Sequence, residues 1–293
     1  MIHYQTPLST LPRPTKTISQ LPKRIQDLIR CFNQAPRHPY PRIENAGSRK
    51  SDAWFQVFQQ ASCPMIVKGY LQGTDLDGVN FEDLRTRAGH HVLDPNQKPM
   101  LMARSYGSWL EEDEPMTLSD YLDRVVLNPA PVDEVWYVRY RNLRIGESFR
   151  QALGLIQPPF LNRDEINFPC IWFGRRGHFS KLHTDPYDNF VLCVIGKKRF
   201  YLFPPDEIAH LYMQPLNNTS FLTSPIDPRN ASTQTYPSYR PETVITVDIE
   251  PGDLLYVPFG WPHFVVCEQN NFMYNYWRST HLPPLFLLGK QAS

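Results

Sequence analysis

Two hydrophobic periods run along this chain, and the change between them falls near residue 134. In the first part the apolar positions recur at helical spacing. Ile25, Leu28, Ile29 and Phe32 lie at i, i+3, i+4 and i+7, with Ser19 placed to cap the segment and Pro22 in its first turn. Shorter helices are predicted over Asp52–Gln60, Phe81–Ala88 and Leu118–Val126, the last capped by Thr117. A β-rich run, PMIVKGY, covers Pro64–Tyr70. From residue 134 the pattern becomes short, β-branched and aromatic. The segments WYVRY, PCIWF, NFVLCVI, RFYLF, TVITVDI, DLLYVPF and FMYNYW are separated by Gly, Pro, Asp and Asn turns. That spacing predicts an antiparallel sandwich or barrel. The expected organisation is one β-core, from about 134 to 279, decorated by a helical front half. No internal repeat is visible.

Composition refines this picture. The chain has 293 residues, enough to bury a sizeable core, with 41% hydrophobic and 20% charged residues, as expected for a globular protein. Its 29 prolines are about twice the usual share, and seven precede residue 42. Residues 1–63 therefore read as a Pro-rich arm with N-terminal helices, 64–279 as the main domain and 280–293 as a tail. The formal net charge is +1, and basic residues never cluster in a long block, so no extended surface for nucleic acid is expected. The five cysteines are scattered, odd in number and without a CxxC pair, which argues for buried reduced thiols over a disulfide framework or zinc cluster. The N-terminus carries no apolar signal-peptide core and no apolar run reaches membrane-spanning length, so an intracellular protein, cytoplasmic or nuclear, without membrane association is expected. The tail holds an apolar Leu285-Phe286-Leu287-Leu288 after Pro283-Pro284, which leaves the oligomeric state open.

The first sharp chemical feature is His183-Thr184-Asp185. On an extended chain, positions i and i+2 share a side, so an imidazole and a carboxylate at a strand end can grip one metal ion. A second histidine from a distant strand would complete a 2-His-1-carboxylate facial triad, which leaves open positions and suits Fe(II) oxygenase chemistry. His263 is the best candidate, following the turn-then-strand stretch PGDLLYVP in the loop Gly260-Trp261-Pro262. An HxD triplet alone is a weak signal, since a histidine in a β-protein is more often structural. His178, His210 and the pair His90-His91 stand at no ligand offset and read as surface or structural residues.

The stretch GHFSKLHTDPYDNFVLCVIGKKRFYLFPP, followed by PGDLLYVPFGWPHFV and MYNYW, resembles the JmjC oxygenases. The likeness is loose over 64–279 and close over 169–277. It is nearest to the small JmjC-only hydroxylases, such as the asparaginyl hydroxylase inhibiting hypoxia-inducible factor and the tRNA wybutosine-synthesising hydroxylase. The resemblance implies a mainly β fold, a double-stranded β-helix (jelly-roll, cupin) core, with 64–279 as the catalytic domain. It also implies Fe(II), 2-oxoglutarate as co-substrate and O2. In that family a hydroxyl residue three positions before the first histidine contacts 2-oxoglutarate, and Ser180 stands there. A lysine fifteen positions after that histidine pairs with the distal carboxylate, and Lys198 stands there. The residues agree: Lys198, Phe200 and Leu202 share one strand face, and a lysine on an apolar face needs an anion. The alternative leaves Lys198 reaching to water and Lys197 in the role. Asn189 and Asn275 match family asparagines that bind the co-substrate or orient a ligand. Tyr137 fits an early-strand tyrosine on the distal carboxylate, with ordinary core packing as the alternative, and Arg139 and Trp172 are expected to line the substrate pocket.

The resemblance leaves the substrate open. Hydroxylation of a protein side chain is the preferred expectation, with a protein or peptide as partner. A tRNA or small-metabolite hydroxylase and a lysine demethylase remain alternatives. A non-enzymatic cupin that only binds is a different class, against which an intact triad and Lys198 both argue. A zinc or manganese cupin hydrolase or isomerase would leave the lysine unexplained.

Overall fold

A computed structural model describes residues 64–93, 100–102, 109–110, 116–127, 137–141, 151–154, 161, 166–185, 187–215 and 222–278. The arm, the helices predicted over 19–32 and 52–60, Cys31, Cys63 and the tail lie outside the described residues. In chain order the strands are β1 (Met65–Val67), β2 (Val92–Leu93), β3 (Met100–Met102), β4 (Trp109–Leu110), β5 (Met116–Thr117) and β6 (Tyr137–Arg141). They continue as β7 (Ile166–Gly174), β8 (Phe179–Thr184), β9 (Asp188–Ile195), β10 (Lys198–Leu202), β11 (Gln214–Pro215) and β12 (Leu222–Thr223). The last four are β13 (Ile245–Ile249), β14 (Leu254–Val257), β15 (His263–Cys267) and β16 (Asn271–Arg278). The major sheet runs β1-β14-β9-β16-β7-β6-β3-β4 and the minor sheet β11-β12-β8-β15-β10-β13, all pairs antiparallel, with β2-β5 as a separate ribbon. The protein is mostly β, with two antiparallel sheets as the pattern predicts and the jelly-roll arrangement that the resemblance implies.

Helix α1 (Phe81–Ala88) forms where predicted. Asn80 caps it, accepting from the Glu82 and Asp83 amides while the Asp83 side chain returns to the Asn80 amide. The segment predicted over Leu118–Val126 is helical but changes winding: α2 (Leu118–Tyr121), capped by Thr117, passes into a π-type turn over Leu122–Val126.

Three apolar clusters show why the β-segments read as near-continuous hydrophobic runs. On β9, Phe190, Leu192 and Val194 face outward against Leu84, Ala88, Leu118 and Tyr121 of the helical layer. Val191 and Cys193 face inward with Phe200, Leu202, Leu255, Val265 and Met273, filling the space between the sheets. The outer face of the minor sheet, Leu182, Phe264 and Val266, is covered by Ile208, Leu211, Tyr212, Ile226 and Tyr239. A strand buried on both faces loses its alternation. Between β9 and β10 the chain crosses from one sheet to the other through Gly196, at φ 77°, where an added Cβ would collide with the Asn270 carbonyl oxygen.

Candidate metal centre

β8 and β15 run side by side, with His183 directly opposite His263. His263 opens β15 instead of lying in the loop before it. Neither of these two strands stands out in the hydrophobic pattern. Asp185 follows the end of β8, and one ligand atom from each of His183, Asp185 and His263 lies within 4.8 Å of the others. Asp185 Oδ1 is 3.8 Å from His183 Nε2 and its Oδ2 is 3.7 Å from His263 Nε2. All three are buried.

The other ring nitrogens are held by the backbone. His183 Nδ1 lies 2.6 Å from the Lys181 carbonyl and His263 Nδ1 2.9 Å from the Trp261 carbonyl. A carbonyl only accepts, so each Nδ1 carries a proton, and in the neutral ring Nε2 then has its lone pair toward the shared point. Burial, followed by His183, pushes the His263 pKa down to about 4, so its imidazole is neutral at pH 7, the ligating form. Two imidazoles and one carboxylate are the donor set of a facial triad.

Asp185 is oriented by an amide relay that places two sequence candidates together. Asn189 Nδ2 donates to Asp185 Oδ2 at 3.2 Å, and Asn275 Nδ2 donates to Asn189 Oδ1 at 3.0 Å. A second anchor carries no signal in the sequence. Asp188, buried beside Asn189, accepts from Tyr256 Oη (3.1 Å), the Phe259 amide (3.0 Å) and Arg278 Nη2 (3.2 Å). With the Gly260 amide donating to the Asp185 carbonyl (3.3 Å), this ties the loop before His263 to the loop that carries Asp185. Its partners lie 68 to 90 residues away, which is why sequence reading missed it.

The spacing of Ser180 has a geometric cause. Regular alternation would put residues 180 and 183 on opposite faces. The register of β8 on β15 shifts: His183 faces His263, but Ser180 faces Val265, so three steps on β8 match two on β15. This β-bulge over Lys181 and Leu182 returns Ser180 to the inner face with His183. On the far side of β15, Leu202 faces His263, Phe200 faces Val265 and Lys198 faces Cys267. The interior therefore has layers: the metal triad, then Ser180, then Lys198.

Lys198 points inward, as the strand-face argument predicts. Residues along β10 alternate buried and half-buried, and Lys198 is 3% exposed while Lys197 and Arg199 pair at the surface with Asp248. Its Nζ lies 5.7 Å from the Trp172 ring centroid. Burial pushes its pKa below the ordinary lysine value, and Cys267 and Cys193 act in the opposite direction. Both cysteines are free and buried, as expected, and burial raises both thiols. Tyr137 and Arg139 stand on β6 opposite Gly174 and Trp172; their side chains lie outside the described set. His210 is half-buried, whereas His178 is buried, with its pKa pushed down to about 3 by burial and then by Lys198.

Among the described residues no helix is long and apolar enough to cross a membrane. A family model described as "Cupin-like domain" matches residues 51–281. The chain is 26% identical over 267 residues to Lysine-specific demethylase 8 of Danio rerio, covering 85% of this chain and 61% of that one. It is 28% identical over 165 residues to tRNA wybutosine-synthesizing protein 5 of Gallus gallus, covering 52% and 48%. The chain thus spans less than two thirds of the length of these curated relatives. Among solved structures, Escherichia coli ycfD aligns at a TM-score of 0.47 and 21% identity, over 76% of this chain and 52% of that one.

Proposed function

Because the chain belongs to the JmjC-type cupin-like domain family, we propose that it is an Fe(II)- and 2-oxoglutarate-dependent oxygenase that hydroxylates a protein side chain. The single observation that carries this reading is the layering of the interior. The His183–Asp185–His263 set and Lys198 belong to one strand ladder, four positions apart along β15 from His263 to Cys267. At about 3.3 Å per residue that is roughly 13 Å along the strand, less the reach of the lysine side chain. Ser180 stands between them. A metal-chelating group, a hydroxyl and a buried ammonium in line suit a co-substrate with a chelating head and an anionic tail.

In this reading His183, Asp185 and His263 hold iron, Ser180 and Lys198 hold the co-substrate, and Tyr137 joins them from β6. Asn189 and Asn275 keep the Asp185 carboxylate in its ligating orientation. Arg139 pairs with Trp172 across β6 and β7 and is kept as a candidate for the substrate pocket, whereas Trp172, against Lys198, belongs to the co-substrate end. Bound iron supplies the coupling of O2 reduction to decarboxylation of 2-oxoglutarate, giving succinate, CO2 and a hydroxylated C–H bond. The protein's share is to hold the 2-oxo acid and the target C–H bond together and to exclude water.

Charge supports the choice of substrate class. Similarity extends to relatives named for lysine demethylation and for tRNA modification. A net charge of +1 gives little of the basic footprint that nucleic acid demands, which favours protein. Two measurements test the proposal. Iron- and 2-oxoglutarate-dependent formation of succinate is expected, and its absence overturns the oxygenase reading. Mass spectrometry of proteome and tRNA with and without the protein should show a +16 Da shift on a peptide. A shift confined to tRNA overturns the substrate class alone.

A further inference from the structure

We infer that His178 is a second residue for the distal carboxylate of the co-substrate, donating an imidazole N–H to it beside the Lys198 ammonium. This rests on the oxygenase reading and deepens it.

The placement comes from a second irregularity at the start of β8. Gly177, at φ 89°, donates its amide to the Cys267 carbonyl, and the Cys267 amide donates to the His178 carbonyl, both at 2.8 Å. Two residues on one strand thus face one on the other, the pattern of a bulge built around a left-handed glycine. Cys267 pairs on its other side with Lys198. His178, Cys267 and Lys198 therefore lie side by side across the minor sheet, one layer beyond Ser180, Val265 and Phe200. His178 stands two positions from Ser180, on the same inward face. Its Nε2 is sealed from solvent. Trp172 and Cys193, both facing Met273, form the corresponding layer of the major sheet.

The electrostatics fit that placement. The imidazole is neutral at pH 7, so it adds no positive charge beside Lys198 yet still offers one N–H. A carboxylate has several acceptor positions, and one ammonium in a dry layer leaves some unmet. A neutral donor in the same layer meets another without charge repulsion. Plain packing of a buried ring would place no requirement on a ligand, and this separates the two roles experimentally.

The experiment is a calorimetric titration of anaerobic, Mn(II)-loaded full-length protein, comparing wild type, His178→Leu, His178→Gln and Lys198→Ala. Each is titrated with 2-oxoglutarate and with 2-oxopentanoate, which keeps the chelating head and chain length but ends in a methyl group. His178→Leu keeps bulk and removes the donor. It should raise the 2-oxoglutarate Kd about tenfold to a hundredfold, the range for losing a hydrogen bond to a charged group. Its metal content and its affinity for 2-oxopentanoate should stay at the wild-type level. His178→Gln, which retains an N–H donor, should recover part of the loss. Equal behaviour of the Leu and Gln variants toward 2-oxoglutarate overturns the inference. So does equal weakening of both ligands by His178→Leu. Either result leaves the oxygenase reading standing if Lys198→Ala still weakens 2-oxoglutarate alone. Failure of the wild type to bind 2-oxoglutarate overturns the oxygenase reading itself.

Discussion

At one end of the barrel interior a carboxylate sits between two imidazoles; at the other a lysine sits beside an indole and two thiols. Both ends bury charge, and they treat it differently. Asp185 receives an amide donor from Asn189, which is itself held by Asn275. At the Lys198 end, burial is the largest influence on the ammonium and disfavours its charge. Cys193 and Cys267 are driven upward by burial, stay protonated at neutral pH and so lend it no negative charge. The metal end is organised before anything binds, because its donors must meet a geometry. The lysine end carries an electrostatic cost, and in the proposed reading an incoming anion relieves it, which would select a ligand with charge at its tail.

That contrast can be broken by substitution. The largest effect is expected at the metal end: Asp185→Ala and His263→Ala should each abolish iron retention and succinate formation, while His210→Ala keeps both. Metal analysis of the purified proteins decides it, and a His210→Ala loss equal to that of His263→Ala would reassign the distal ligand. At the lysine end, Lys198→Ala should raise the 2-oxoglutarate Kd by roughly two to three and a half decades, since breaking a buried charge pair costs ~3–5 kcal/mol. Iron content should remain near normal, and Lys198→Arg should rescue only in part, its fork being longer and planar. Binding should also weaken as pH rises, because the ammonium is the form that holds a carboxylate and its pKa in the free protein is lowered. A flat pH profile would remove the ammonium from the interaction. One step further from the ligands, Asn189→Ala should reduce iron affinity about tenfold to a hundredfold, as loss of a group that orients a ligand usually does. Equilibrium dialysis against a competing chelator measures this, and an unchanged affinity would make the relay ornamental. The smallest effect belongs to Lys197→Ala. Lys197 shares Asp248 with Arg199 at the surface, and its removal should leave the 2-oxoglutarate titration within the scatter of the wild type.

Sequence legibility followed the range of the interactions. The face of Lys198 was readable because β10 alternates strictly over five residues, and alternation is a local property. The clustering of His183, Asp185 and His263 was readable because HxD is local and His263 has few rivals. β8 and β15 escaped the strand pattern, although their backbones create the site, because β8 is broken by the polar Ser180, Lys181 and His183 and β15 opens on His263. Asp188 was invisible: its role depends on Tyr256, Phe259 and Arg278, brought to it only by the pairing of β9 with β14 and β16. His178, read as surface or structural, is buried, and its direction was hidden for a related reason. A glycine at 177 reads as a turn, and nothing in its neighbours says that the next side chain turns inward beside a strand ninety residues on.

The bulge over Lys181 and Leu182 ties residue count to side-chain direction. Ironed flat at unchanged length, it would leave three plain steps between Ser180 and His183, turning Ser180 to the outer face and Phe179 to the inner one with no ligand altered. Removing one of the two bulged residues would leave two steps, which plain alternation already keeps on one face. The stretch therefore has two spellings that serve the same layers, three steps with a kink or two without, and homologous oxygenases should change count and kink together.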